Sequence, residues 1–293
     1  MKLDRLNSSA AAIQAAMVLA RIVPERPVLR IANALAARFA SEDSPSVAAL
    51  RANQSVVRGL PKDDPEIDRA VRAVYYNAGR GQVALFRALA RGREALMSGC
   101  DISPELVRRI EGARGLGRGL VLVGPHIGAF DFFMLTIAAR GYPVHAISPA
   151  DPTGSYRLQN SLRTKYGAVT MPASPEAVRT SINRLLEGGI LVTGMDRPAL
   201  KGERIEFFGR QAFLPTGFAK MAIRTNSLLL PAMIVPDRLN HYQAEALEIL
   251  EPPKERTDAA VTGLAREVLR QMEPVIREYA DHWLMFFPVW PDA

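Results

Sequence analysis

The fold is decided by residues 119–131, which read GLVLVGPHIGAFD. A short apolar run bounded by glycines predicts a buried strand over Gly119–Gly124. The pattern becomes helical over Gly128–Arg140. His126 is therefore expected at the carboxyl end of a strand, and Asp131 on the first turn of the following helix. In open α/β sheets this crevice is where ligands bind.

His126 and Asp131 together predict acid–base chemistry. A carboxylate one turn away can hold the imidazole in one tautomer and stabilise its protonated form, so that His126 can take a proton from a hydroxyl. The alternative interpretation is a helix-capping Asp131 beside a loop histidine. Gly128 would let a substrate carbonyl approach the N–H groups at the helix start. A tight turn that needs glycine explains Gly128 equally.

Strands and helices alternate after residue 119. The predicted strands are Gly119–Gly124, Pro143–Ser148, Ala168–Met171, Ile190–Gly194, Leu228–Val235 and Tyr242–Leu250. A helix is predicted after each of the first four strands and over Asp258–Tyr279, whereas the last two strands follow each other directly. Before residue 119 the sequence reads as helix, with a start at Asp64-Pro65-Glu66 and a linker over Gly112–Gly119. This alternation predicts an α/β fold with a mostly parallel central sheet flanked by helices and a helical N-terminal third, in one domain over residues 1–293.

Composition and charge restrict the class of partner. The 293 residues are 48% hydrophobic and 23% charged, as in globular proteins, and the formal net charge is +7. Such a surface suits anionic partners such as a phosphorylated lipid or an acidic carrier protein; a generally basic proteome is the alternative. No basic run is interleaved with aromatic residues, so no nucleic acid is expected. Cys100 is the single cysteine, and the four histidines are scattered, so no disulfide and no metal are expected.

The N-terminal 40 residues form two amphipathic stretches. Ala10–Val23 is apolar, but it is shorter than the ~20 residues of a membrane-spanning helix, and Gln14 and Arg21 interrupt it. It also lacks the cleavage site of a signal peptide. Val28–Phe39 is the second stretch. Residues 1–40 are expected to lie in a membrane interface or to cap the core of a soluble domain.

A second set of polar residues follows the strand predicted at Ile190–Gly194. Asp196 and Arg197 are expected at the same edge of the sheet as His126. Glu206 alternates with apolar residues on a short strand and has a chance of facing the site. Nearby basic residues can grip a phosphate, or form a solvated loop of mixed charge: Arg197, Lys201, Arg204 and Arg210. No G-x-S-x-G elbow and no phosphate-binding P-loop are present.

Several short motifs occur in one order over most of the chain. They are Pro125-His126…Asp131, Arg163-Thr164-Lys165-Tyr166-Gly167, Glu187-Gly188-Gly189, Asp196-Arg197, Phe207-Phe208-Gly209 and Pro231. With them the sequence resembles the lysophospholipid acyltransferase superfamily, in particular its lipid A biosynthesis acyltransferase branch, which includes the phosphatidylinositol mannoside acyltransferases. The resemblance extends from about residue 50 to the C-terminal tryptophans.

The resemblance implies roles for individual residues. His126 would be the catalytic base and Asp131 its partner. The family carries a further acidic residue ahead of the F-F-G element, and Glu206 and Glu203 both remain open for it. Of these two, Glu206 is assigned to catalysis. The residues expected to bind substrate are Gly128, Arg163, Asp196, Arg197 and Glu203.

The resemblance also implies the reaction and its setting. It implies an O-acyltransferase that uses acyl-CoA or acyl carrier protein as donor and a membrane (glyco)lipid as acceptor, with no cofactor and no metal. An anionic membrane surface is the expected partner, with peripheral attachment at the cytoplasmic face of a bacterial inner membrane. A non-catalytic lipid-binding protein of the same fold and an acyl-thioester hydrolase are the alternatives.

Overall fold

A computed structural model describes residue 18 and residues 22–150, 154–198, 202–238 and 241–291. The N-terminal part of these ranges is helical, as predicted. Its helices are α1 (Glu25–Ala40), α2 (Pro45–Arg58), α3 (Pro65–Arg91) and α4 (Arg93–Ser98). The predicted start of α3 is confirmed: the side chain of Asp64 accepts a hydrogen bond from the N–H of Glu66, and proline occupies the first helical position.

The rest of the chain alternates between strands and helices. The strands are β1 (Cys100–Ile102), β2 (Leu120–Gly124), β3 (Val144–Ser148), β4 (Val169–Pro172), β5 (Ile190–Gly194), β6 (Glu203–Phe207), β7 (Arg210–Leu214), β8 (Leu228–Arg238) and β9 (His241–Ala246). The helices are α5 (Pro104–Gly115), α6 (Phe130–Ala139), α7 (Gly154–Lys165), α8 (Pro175–Leu186), α9 (Gly217–Thr225) and α10 (Asp258–Glu278). Helix α5 continues into the stretch that was predicted as a linker.

Seven of the strands form one sheet in the order β1-β9-β8-β2-β5-β3-β4, and β6 and β7 form a separate antiparallel hairpin. Neighbouring strands of the large sheet are parallel except β8 and β9. The predicted α/β class with a mostly parallel sheet is confirmed. Strand β2 lies in the middle of the sheet, and its carboxyl end defines an edge that we call the carboxyl edge.

Alternate residues of β2 pack into two separate hydrophobic clusters. Leu120 and Leu122 belong to the cluster that contains Phe132 of α6. Val121 and Val123 belong to the cluster that contains Trp283. Because both faces of the strand are covered, β2 reads as a continuous apolar run rather than as an alternating one.

The C-terminal segment, residues 280–290, connects the helical N-terminal part to the rest of the fold. Asn53 of α2 is buried and holds this segment through three hydrogen bonds. Its amide nitrogen donates to the carbonyls of Met285 (2.9 Å) and Phe287 (2.8 Å). Its amide oxygen accepts from the N–H of Val289 (3.1 Å). The path of the last residues is therefore fixed by a side chain more than 200 residues away.

Helix α1 presents apolar side chains on two sides. Ala36 and Phe39 are buried, whereas Ile31 is 63% exposed and Leu35 is 40% exposed. The stretch Ala10–Val23 lies mostly outside the described residues. Among the helices that the structure describes, none combines the length and the hydropathy needed to cross a bilayer.

Candidate functional site

The strand register brings two distant loops together at the carboxyl edge. Gly124 at the end of β2 is directly opposite Gly194 at the end of β5. His126 and Asp196 each come two residues after these paired glycines. Because the two strands are parallel, the residues that follow them emerge side by side, and the predicted position of both residues at this edge is confirmed.

The carboxylate of Asp196 holds His126 in place. Nδ1 of His126 lies 2.6 Å from Oδ1 of Asp196, and the backbone N–H of His126 donates to Oδ2 at 2.8 Å. The indole N–H of Trp283 donates to the same Oδ2 at 2.7 Å. An ionised carboxylate can only accept hydrogen bonds, so Nδ1 carries the proton and Nε2 of the neutral ring has a free lone pair.

This geometry corrects the predicted partner of His126. Asp131 lies on the first turn of α6, as expected, but its Oδ1 accepts a hydrogen bond from Arg163 at 2.6 Å. Arg163 also donates to Asn160 at 2.9 Å. Asp196, not Asp131, occupies the position beside the imidazole. The pairing of β2 with β5 places Asp196 next to His126. Asp131 adds only a weaker electrostatic contribution at His126.

The electrostatics of the pair favour a basic imidazole. Burial by itself lowers the pKa of His126, but the charge and the hydrogen bond of Asp196 outweigh it, so that the pKa lies above its ordinary value of 6.5. Burial by itself raises the pKa of Asp196. The charge of His126 and the hydrogen bonds from His126 and Trp283 outweigh this effect, so that the pKa lies below its ordinary value. The site therefore combines an ionised carboxylate with an imidazole whose affinity for a proton is increased.

Gly194 leaves the space in which the imidazole lies. A Cβ atom at this position would lie 2.6 Å from Cε1 of His126, closer than such contacts allow. The ring of Phe130 contacts the imidazole edge-on, with the centroids 4.8 Å apart. The His126 side chain is 25% exposed, and no described residue hydrogen-bonds to Nε2. The sequence pattern identifies Gly194 only as the end of a strand. Its position two residues before Asp196 is the signal that could have indicated its role beside the imidazole.

Gly128 has a structural role rather than the expected one. Its φ of +56° is in the left-handed region that favours glycine, and a Cβ atom would lie 3.3 Å from Cε1 of Tyr242. Its N–H donates to the carbonyl of His282 at 2.8 Å. The tight-turn interpretation is therefore correct, and this N–H is not available to an oxyanion.

The two glutamates ahead of the F-F-G element do not contact His126. Glu203 accepts hydrogen bonds from Lys220 (2.8 Å) and Thr262 (2.9 Å), and the bond from Lys220 is the main reason why its pKa is lowered. Glu206 is exposed on β6, whereas Ile205 next to it is buried. The apolar side of β6 packs inward, and the catalytic role expected of Glu206 stays a prediction. Both glutamates belong to the hairpin.

The predicted basic group is only partly assembled. Arg197 is exposed next to Asp196; its guanidinium lies 4.1 Å from the centroid of the Phe287 ring, and its charge acts on His126. Arg204 instead lies over the ring of Phe213 in the hairpin. Lys201 lies outside the described residues. Arg197 is therefore the member of this group that the structure associates with the histidine.

The described ranges offer no metal site and no reactive thiol beside this pair. No set of three or more histidine, cysteine or acidic side chains there is arranged to hold a metal ion. Cys100 is buried, and burial raises its pKa to about 12. A thiol with that pKa is protonated at neutral pH and is a poor nucleophile. The arrangement at the carboxyl edge is thus an imidazole with a free Nε2 whose Nδ1 is held by a buried carboxylate, which is the geometry that general-base chemistry requires.

Comparisons with known proteins identify the family of the chain. Residues 6–291 match the family described as bacterial lipid A biosynthesis acyltransferase. The chain is 24% identical over 278 residues to the phosphatidylinositol mannoside acyltransferase of Mycolicibacterium smegmatis, which covers 93% of this chain and 88% of the relative. It is 26% identical over 233 residues to the protein of the same name from Mycobacterium tuberculosis H37Rv, which covers 75% and 70%. Because the family match spans nearly the whole sequence, this chain belongs to the bacterial lipid A biosynthesis acyltransferase family.

Proposed function

We propose that this acyltransferase moves a fatty acyl chain from an acyl thioester to a hydroxyl group of a membrane glycolipid, with His126 as the general base. The observation that carries the proposal is the pair formed by His126 and Asp196: Nδ1 is fixed on a buried carboxylate while Nε2 has no partner among the described residues. The donor is acyl-CoA or acyl carrier protein, and the thioester is a substrate rather than a resident cofactor.

The proposed reaction is a direct transfer. Nε2 of His126 takes the proton of the acceptor hydroxyl as its oxygen attacks the thioester carbonyl. The carbon–sulfur bond breaks in the resulting tetrahedral intermediate, and the imidazolium returns the proton to the departing thiolate. The products are an ester and a free thiol. Asp196 stabilises the imidazolium between these two proton transfers without itself taking the proton.

Several features support a phosphate-bearing lipid substrate. The chain carries a formal net charge of +7. Arg197 is exposed next to the imidazole, and a guanidinium is well suited to phosphate oxygens. Arg163 is paired with Asp131, so we do not assign it a free phosphate contact. The names of the two relatives favour a phosphatidylinositol mannoside as the first acceptor to test.

We also propose that helix α1 attaches the enzyme peripherally to an anionic membrane at the cytoplasmic face of the inner membrane. Ile31 and Leu35 are exposed on this helix, and Arg30 and Arg38 are exposed beside them. Apolar side chains next to basic ones are the pattern of helices that lie in a membrane interface. A bound membrane would supply the acceptor lipid directly to the carboxyl edge.

The experiment that tests the function is a transfer assay with purified protein. Palmitoyl-CoA and a phosphatidylinositol mannoside are supplied together, and the acylated lipid and the free thiol are both measured by mass spectrometry. We expect wild-type protein to form ester and thiol in equal amounts. His126→Ala should form neither, with an unchanged melting temperature, because the proton acceptor is lost and the fold is not.

The same assay separates the alternatives. Thiol release that does not depend on the acceptor would identify a hydrolase instead. Binding of lipid vesicles without any thiol release, tested also with palmitoyl-acyl carrier protein and with a lipid A precursor as acceptor, would identify a non-catalytic lipid-binding protein. Wild-type transfer rates in His126→Ala would contradict the assignment of the base.

The first prediction concerns which acid acts on His126. The ascending limb of kcat/KM against pH should have its midpoint above 6.5, because the base must be neutral and its pKa is raised.

Asp196→Asn should lower the pKa of His126, since burial and the charge of Arg197 then act without the carboxylate. The same variant should lower kcat by roughly 10³-fold or more. Asp131→Asn should change that pKa much less. The measurement is an NMR titration of the four histidine rings; equal shifts in the two variants would contradict the pairing.

The second prediction concerns the space beside Gly194. Gly194→Ala should displace the imidazole and reduce kcat about 10²-fold, because misplacing a reacting group by about 1 Å has an effect of that size. The matched control is Gly263→Ala on the exposed side of α10, where an added Cβ has no neighbour within 4 Å. That control should keep full activity and gain up to about 1 kcal/mol of stability. Full activity in Gly194→Ala would show that the imidazole does not depend on this space.

The third prediction concerns the membrane. Ile31→Glu should weaken co-sedimentation with vesicles that contain anionic phospholipid, because it places a charge within the exposed apolar side of α1. Leu116→Glu is the control, since Leu116 is equally exposed at the end of α5. Transfer to an acceptor dissolved in detergent should be the same for both variants. Equal vesicle binding by the two would contradict the assignment of α1.

A further inference from the structure

Trp283 links the C-terminal segment, residues 280–290, to the acid of the site. Its side chain is fully buried, and its indole N–H donates to Oδ2 of Asp196 at 2.7 Å. The backbone around it pairs with the backbone around His126: Ile127 and Trp283 form an antiparallel bridge, and the N–H of Leu284 donates to the carbonyl of His126 at 2.8 Å. The segment therefore contacts the base and the acid at the same time.

The three donors to the Asp196 carboxylate are not equivalent. Two of them, the backbone N–H and Nδ1–H, belong to His126, which is the residue that the carboxylate has to orient. Among the described residues, the indole of Trp283 is the donor to this carboxylate that does not belong to His126. When the ring gains or loses a proton at Nε2, the indole of Trp283 and the backbone N–H of His126 both still donate to Oδ2, and the indole is the donor that comes from another segment of the chain.

We propose that Trp283 is a positioning residue for acyl transfer, and that the C-terminal segment thereby forms part of the catalytic machinery. Trp283 does not touch substrate; it holds Asp196 in the orientation that directs Nε2 of His126 outward. This inference rests on the proposed function for its effect on rate, but the contact on which it depends is measurable without turnover.

The chain contains its own control for this inference. Trp290 is the second of its two tryptophans and is also buried. The two indoles lie in one aromatic cluster with centroids 6.3 Å apart, and Trp290 stacks on Phe207 at 5.5 Å. Its indole N–H has no hydrogen-bond partner within the part of the chain that the structure describes. Replacing either tryptophan by phenylalanine removes a similar volume from the same cluster, and only one replacement removes a bond to Asp196.

The kinetic experiment compares Trp283→Phe with Trp290→Phe in the palmitoyl-CoA transfer assay. A hydrogen bond to a charged group corresponds to about a 10- to 100-fold effect. We expect kcat of Trp283→Phe to fall by that factor relative to Trp290→Phe, with KM for both substrates within about threefold. We also expect the ascending limb of its pH profile to move to higher pH, because a carboxylate that lacks this donor stabilises the imidazolium more strongly and raises the pKa of His126. Equal kcat and equal pH profiles in the two variants would overturn the proposal.

A second measurement needs neither activity nor a Trp283 variant. The full chain gives two indole N–H signals in a ¹⁵N–¹H spectrum. We expect one of them, from Trp283, to move upfield in Asp196→Asn, because an amide oxygen is a weaker acceptor than a carboxylate, while the Trp290 signal stays and reports an intact cluster. If neither signal moves, the contact does not orient Asp196 and the proposal is wrong. If the wild-type enzyme transfers no acyl group, the proposed function fails, and this spectrum still decides whether Trp283 holds the acid.

Discussion

The structure of the site depends on a fully buried carboxylate. Asp196 has no exposed surface, and an unpaired charge in such a position is strongly destabilising. Its two oxygens accept three N–H donors within 2.8 Å, which offsets the loss of hydration. Removing one partner of a buried charged pair costs about 3–5 kcal/mol. The buried carboxylate is therefore stable only where the fold also places these donors around it. The requirement for these partners explains why the loop of His126, the end of β5 and the C-terminal segment converge at one point.

Parallel strand pairing provides most of this convergence. His126 and Asp196 are 70 residues apart in sequence, but β2 and β5 are neighbours with Gly124 opposite Gly194. The residues after the two strands therefore need no further adjustment to meet. Trp283 is positioned in another way, because it belongs to no strand of the sheet. Its position depends on residues 280–290 being held by Asn53 of the N-terminal helical part. The helices thus contribute to the site indirectly, through the segment that they fix.

Sequence patterns predicted the elements better than the contacts. Glycine-bounded apolar runs located β2 and β5, and the rule that ligands bind at strand ends placed His126 and Asp196 at the correct edge. The partner of the histidine was predicted from proximity along the chain, and there Asp131 was the obvious choice. It failed because Arg163, on a helix that follows the next strand, binds Asp131. Which of the two carboxylates lies beside His126 depends on the order of the strands in the sheet, and the sequence pattern does not contain that order. Trp283 was beyond prediction for a related reason, since its contact with Asp196 depends on the path of an irregular segment.

The same geometry separates the chemistry of the site from its choice of acceptor. His126, Asp196 and Trp283 are joined by hydrogen bonds that leave Nε2 without a partner among the described residues. In the proposed reaction these residues act on any hydroxyl that reaches Nε2. Discrimination between acceptors requires groups that are exposed near Nε2. Arg197 directly follows Asp196, and its guanidinium rests on Phe287, which belongs to the same C-terminal segment as Trp283. The C-terminal segment therefore binds the buried carboxylate of Asp196 through Trp283 and contacts the exposed guanidinium of Arg197 through Phe287. In the proposed reaction, a change in this segment that preserves Trp283 can alter which lipid is bound while it leaves the proton transfer intact.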